Sequence, residues 1–189
     1  MRKHLFIFLI FILPCLSSTG QRGVSYKETK KENLSQNFKN ILILAVGSTV
    51  SRVFLDDLGE KLILLFEKNK VNASYEYLGK EKEETIKNYL KISFKERDVV
   101  LIIYPNEKTY FEVINEVTQT YSHGIMSTNV NSRPIYQQEF SFILLKAEDR
   151  SSPFWSAHID VTAELGGPRL CKLIAKRIVE RFRQNQYIQ

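Results

Sequence analysis

The chain has 189 residues, 43% of them hydrophobic and 25% charged, with a formal net charge of +6. That is ordinary globular material, enough for one domain with a real core plus an exported leader. The cysteines are Cys15 and Cys171, so once the leader is removed no intramolecular disulfide can form.

Residues 1–20 open with Arg2 and Lys3, continue through an apolar run from Leu5 to Leu13, and end in small and polar residues. This is the layout of a secretory signal peptide; the apolar run is short for a membrane span, and an anchoring helix is the simpler alternative. Ser18-Thr19-Gly20 gives signal peptidase the small residues it requires, which makes Gln21 the new terminus. The competing site is Cys15, the candidate lipidation residue of a bacterial lipoprotein. Ile12-Leu13-Pro14-Cys15 keeps the apolar position and the cysteine, but rigid Pro14 stands where a small residue is expected. Simple secretion is favoured, with tethering through Cys15 as the alternative. Losing residues 1–20 removes Arg2 and Lys3 and no acidic residue, leaving about +4 on the mature chain. That charge suits either a solvated surface or contact with anionic lipid or polymer.

Residues 21–38 are polar, Lys-rich and without apolar periodicity, and are expected to form a flexible tether ahead of a single domain over 39–189. The domain opens at "ILILAVG", 41–47, a continuous apolar run that predicts a strand covered on both faces. Ser48 and Ser51 are candidate caps for a following helix whose stripe is Phe54, Leu58, Leu62 and Leu65. Gly59 lies inside that helix at a local cost that points to close packing. "NASYEYL" reads as a strand with Ala73, Tyr75 and Tyr77 on one face, and the segment from Lys80 as a second helix with a seam through Ile86, Leu90 and Phe94. "VVLIIYP", 99–105, is another doubly covered strand, ended by Pro105.

Beyond Pro105 the pattern alternates with period two. Phe111, Val113, Val117 and Tyr121 fall on one face, as do Tyr136, Phe140, Phe142 and Leu144, with "SHGIMSTNVNSRP" between them as a long polar connection. Trp155, Ala157, Ile159 and Val161 mark a further strand. A closing helix from Pro168 carries Leu170, Ile174, Ile178 and Phe182 as its stripe. The expected fold is therefore α/β: βαβαβ, then an antiparallel meander and a C-terminal helix, a mixed sheet packed by helices.

Chemistry is sparse. Ser156, His158 and Asp160 contain the elements of a nucleophilic triad, but residues two apart on a strand are roughly 7 Å apart, too far for a hydrogen-bonded relay. They read instead as the polar face of a half-buried strand. Metal binding is not expected: the mature chain has only His123 and His158, and Asp56-Asp57 and Glu83-Glu84 are adjacent pairs that splay on helices. Cys171 lies on the apolar stripe of the last helix, where it acts as a small hydrophobe. "AVGSTVS", 45–51, occupies the strand-to-helix position where α/β sheets place ligands, so Gly47, Ser48 and Ser51 form a weak candidate ligand site. It lacks the second glycine and the lysine of a P-loop. "ELGGPR", 164–169, is a second turn of this kind. The last helix carries Arg169, Lys172, Lys176, Arg177, Arg181 and Arg183, without the interleaved aromatics of a stacking platform, and nucleic acid is an unsuitable partner for an exported chain. The hairpin aromatics, Tyr110, Phe111 and Tyr121 among them, serve either as core or as a binding face.

The stretches "ILILAVGSTVSRVFLDDLGEKL", "NASYEYL", "DVVLIIY" and "FWSAHIDVT", with the closing amphipathic helix, together resemble small exported bacterial envelope proteins. Many of these are lipoproteins of unknown function, similar in layout to the amino-terminal domain of the Tol-system propeller protein and to lipoprotein activators of penicillin-binding proteins. The resemblance covers about residues 40–187 and implies a non-enzymatic α/β domain that binds other envelope proteins, with no catalytic residue and no cofactor. The leading expectation is an exported, non-catalytic protein of the periplasm or cell envelope that acts on an envelope protein partner, with peripheral or lipid-mediated membrane association open. A small-ligand or anion-binding domain is the alternative, and a hydrolase using Ser156 and His158 is the weakest reading.

Overall fold

The computed structural model describes residues 23–32, 37–79, 96–122, 125–149, 152–164 and 168–189. The leader with Cys15, the expected second helix with Glu83-Glu84, His123, and the two glycines of "ELGGPR" lie outside these residues.

Six strands and two helices are described: β1 (Gly23–Lys31), β2 (Asn40–Ala45), α1 (Thr49–Lys68), β3 (Asn72–Tyr77), β4 (Val99–Ser122), β5 (Ile125–Lys146), β6 (Trp155–Glu164) and α2 (Pro168–Gln184). The strands form one mixed sheet in the order β1-β6-β5-β4-β2-β3. β2 pairs parallel with β3 and β4, and all other neighbours are antiparallel. The expected α/β class and mixed sheet are what the chain adopts.

The central strands explain their own composition. Ile41, Ile43 and Ala45 belong to the large core beneath the helices, while Leu42 and Leu44 join Val100, Ile102 and Leu145 in a smaller cluster on the opposite face. Both faces of β2 are covered, hence the unbroken apolar run. In α1 the fully buried residues are Leu55, Leu58, Leu62 and Phe66; Phe54 and Leu65, expected in the stripe, are half-buried at its margins. Phe54 stacks on Phe140 at 4.8 Å between ring centroids. In α2 Ile174, Ile178 and Phe182 are buried as the periodicity requires, and Phe182 meets Trp155 edge-on at 4.9 Å. α1 ends at Asn69, whose side chain donates to the Leu65 carbonyl at 2.5 Å, with Lys70 in the left-handed region at φ 58°.

Two expectations are corrected. The stretch read as a tether, 21–38, contains β1, which pairs with β6 from Gly23↔Thr162 to Lys31↔Trp155. Its lysines concealed it: Lys27 and the hydroxyls of Ser25 and Thr29 line the outward face of an edge strand, where polar residues are tolerated and charges discourage further pairing. The inward residues Val24 and Tyr26 pack on the core, and Phe38, at the end of the supposed tether, is buried between Phe66 and Phe182. The folded body therefore begins by Gly23 rather than at 39.

The second correction concerns the meander. Pro105 does not end its strand; β4 continues through a register irregularity between Pro105 and Thr109 and runs on to Ser122. A proline is admitted there because a bulge needs no ladder donor. Most of the supposed polar connection 122–134 is strand, since β5 begins at Ile125 and pairs with β4 from Ser122↔Ile125 inward.

Candidate functional site

The turn between β2 and α1 carries Gly47, Ser48 and Ser51. Their polar groups are turned mostly on one another. The Ser51 hydroxyl, 2% exposed, donates to the Ser48 carbonyl at 2.9 Å, and the Ser51 and Arg52 amides reach the same oxygen at 3.0 and 3.1 Å. The Tyr77 hydroxyl lies 2.8 Å from the Gly47 carbonyl and 3.1 Å from that of Ser48. A Cβ on Gly47 would stand 2.4 Å from Ser51 Oγ, so glycine is required by close approach. Ser48 is the helix N-cap residue but makes no side-chain cap bond.

Next to this turn, Asp56 accepts from the Tyr75 hydroxyl at 2.7 Å and from Arg52 Nε at 3.3 Å. The Arg52 guanidinium lies 5.0 Å above the Tyr77 ring. Burial, reinforced by the bond to Asp56, holds the Tyr75 phenol well above its ordinary range. Asp56 is thereby tied to Arg52 and Tyr75, and among the described residues no group of three His, Cys, Asp or Glu side chains converges as a metal site would.

The polar face of β6 is organised across strands, not along one. Ser156 Oγ is 2.9 Å from Thr29 Oγ1, and Asp160 accepts from the Ser25 hydroxyl at 2.6 Å. His158 Nδ1 faces Ser141 Oγ at 3.1 Å and Glu139 Oε1 at 3.4 Å. Ser141, 2% exposed, also donates to Asn106 Oδ1 at 2.7 Å, and the Asn106 carbonyl receives Gln138 Nε2 at 2.6 Å. A nucleophilic relay needs the serine on one imidazole nitrogen and the acid on the other. Here both meet the same nitrogen. Asn106, Glu139 and Ser141 were not singled out from sequence, because their meeting with His158 depends on the Ser141↔His158 and Glu139↔Asp160 register. The alternation in "EFSF" was the available signal.

On the helical side, Arg177 and Arg181 both stand 5.5 Å from the Tyr26 ring, so part of the basic face of α2 is spent covering β1. Arg183 donates to Asn69 Oδ1 at 2.6 Å and Lys176 pairs with Glu180 at 3.7 Å. Cys171 is buried, which pushes its thiol up to about 12 and leaves it unreactive.

The remaining feature is the long β4–β5 ribbon. β2 pairs with β4 only as far as Ile103, and β6 pairs with β5 only from Ile135 inward. Among the described strands, Val113–Ser122 and Ile125–Pro134 therefore pair with each other and with no other. No described helix is long and apolar enough to cross a membrane.

No protein-family model and no curated protein matches the sequence. Among solved structures, the chain is similar to a PelC dodecamer from Paraburkholderia phytofirmans at 11% identity, over 88% of this chain and 99% of that one, with a TM-score of 0.46. It is similar to a neuraminyllactose-binding hemagglutinin homolog from Helicobacter pylori at 10% identity, over 81% and 86%, with a TM-score of 0.39. A minor lipoprotein from Acinetobacter baumannii follows at 9% identity, over 78% and 95%, with a TM-score of 0.35. Likeness at this level transfers no function.

Proposed function

We propose that the chain is an exported protein of the periplasm or cell envelope that acts without catalysis, by contact with other envelope proteins. The reading rests on the leader pattern of residues 1–20 and on one structural observation, the ribbon Val113–Ser122/Ile125–Pro134, neither edge of which pairs with another described strand. Unpaired strand edges offer a row of backbone donors and acceptors that recruit a further strand. β6, by contrast, has its edge covered by β1 and offers no such row.

The test is a pull-down from envelope extract with the mature chain and with a variant in which residues 107–136 are replaced by a short Asn-Gly turn. Specific proteins retained by the first and lost from the second are expected. Identical retention by both, or none by either, overturns the reading.

A further inference from the structure

We infer that the β4–β5 ribbon is a membrane-spanning hairpin that closes into a β-barrel with the ribbons of other copies of this chain. The inference rests on the envelope location proposed above and names other copies of this chain, in place of a different protein, as the partners of the ribbon edges. Each strand of the free ribbon, Val113–Ser122 and Ile125–Pro134, has about ten residues, within the 9–11 that a tilted strand needs to cross a bilayer. The register then sorts the residues. The pairs Val113↔Pro134, Val117↔Val130 and Tyr121↔Met126 share one face, separated by the uncharged pairs Asn115↔Ser132 and Gln119↔Thr128. The charged residues of the free ribbon, Glu116 and Arg133, fall on the other face with Thr118↔Asn129 and Thr120↔Ser127, and Ile114 and Ile125 lie on it only at its two ends. An uncharged, largely apolar face backed by a polar one is the pattern of a barrel strand between lipid and lumen. Aromatic residues bracket the apolar stretch, with the Phe111↔Tyr136 pair at its base and Tyr121 near its tip, as in the girdles at membrane interfaces.

Two physical arguments require further copies. A two-stranded ribbon is marginal by itself in water. In lipid, edges without a partner strand would leave backbone N–H and C=O groups unsatisfied with no water to replace the lost bonds, a cost that only closure with other strands removes. Each chain supplies two strands and the smallest such barrels have eight, so about four chains or more are needed.

The deciding experiment uses protein expressed with its own leader, purified from membranes in detergent and added to planar bilayers of phosphatidylethanolamine and phosphatidylglycerol. Stepwise conductance is expected, from a species that light scattering measures as about four chains or more. The paired change Val117→Asp with Val130→Asp should cut the frequency of openings at least tenfold. The paired change Thr118→Asp with Asn129→Asp adds the same charge to the other face, and should retain conductance while shifting it toward cations. Both variants should keep the wild-type Trp155 fluorescence midpoint, since the ribbon lies outside the core. A wild type that is monomeric and silent in bilayers overturns the barrel and leaves the envelope reading standing, as does an equal effect of the two charge pairs. Recovery of the intact chain from the cytosol, leader included, overturns both.

Discussion

Gly59 sits mid-helix in α1 directly over the Tyr75 ring, where an added Cβ would stand 2.4 Å from Cδ2. Gly→Ala in a helix interior ordinarily stabilises by about 1 kcal/mol. Here the sign reverses, because Tyr75 is held by its bond to Asp56 and cannot yield freely. Gly59→Ala is expected to lower stability by about 1–3 kcal/mol, read as the midpoint of urea unfolding; an unchanged or raised midpoint would show that the ring moves at no cost. A second prediction concerns Cys171. Its folded value near 12 exceeds the ordinary 9.0, so the contribution it makes is complete below pH 9 and is lost as pH rises toward 12. Tyr187, which burial also holds up to about 12 from 10.0, adds its own loss above pH 10. Between pH 9 and 10 the thiol is expected to account for about 1 kcal/mol of the decline, beside the onset of losses from the phenols that burial also raises, Tyr26, Tyr75, Tyr77 and Tyr187. Cys171→Ala, though less stable throughout, should decline by about 1 kcal/mol less than the parent over that interval in pH-dependent denaturation.

The element that most changes the reading of this chain is β1. Glu28 accepts from the Trp155 indole at 2.6 Å and from Asn185 at 3.0 Å, and the Tyr187 hydroxyl reaches the Glu32 carbonyl at 2.7 Å. The amino-terminal strand is thus bonded to the start of β6 and to the carboxy-terminal turn. A tether could be removed at no cost. Deleting residues 21–31 is instead expected to lower stability by more than about 3 kcal/mol, since it orphans a fully buried indole N–H and removes Val24 and Tyr26 from the core they pack against. Glu28→Ala should cost about 1–3 kcal/mol, with Glu28→Gln recovering part because its amide oxygen still accepts. Differential scanning calorimetry of the three variants would show the ordering, and a truncated chain as stable as the parent would restore the tether. Sequence inspection missed β1 because an edge strand with one solvated face carries too few apolar residues to register. The same alternation that was weak in "GVSYKETKK" was plain in the meander.

At the scale of the molecule, the two described helices lie on one face of the sheet and share a core with β1 and the carboxy-terminal residues Tyr187 and Ile188. Trp155 stands where β1, β6 and α2 meet. The body is therefore expected to unfold as one unit, with Trp155 fluorescence and far-UV circular dichroism giving coincident midpoints; separated transitions would mean that β1 or α2 folds independently. The candidate site at Gly47, Ser48 and Ser51 was legible as a place, because a strand-to-helix turn has a local signature. What its groups do there was not, because the Ser51 hydroxyl finds its partner only once the turn closes.

Local pattern alone determined the α/β class, the doubly covered strands at 41–45 and 99–103, the stripe of the closing helix and the close packing at Gly59. These follow from period and burial, which are properties of neighbouring residues along the chain. Tertiary structure decided the rest: that residues 23–31 are the edge of the sheet, that Ser156, His158 and Asp160 each bond across strands, and that β4 and β5 run past the sheet as a free ribbon. Each of these depends on which strand lies beside which and in what register. Pairing partners come from distant parts of the chain, and a period of two is compatible with many of them.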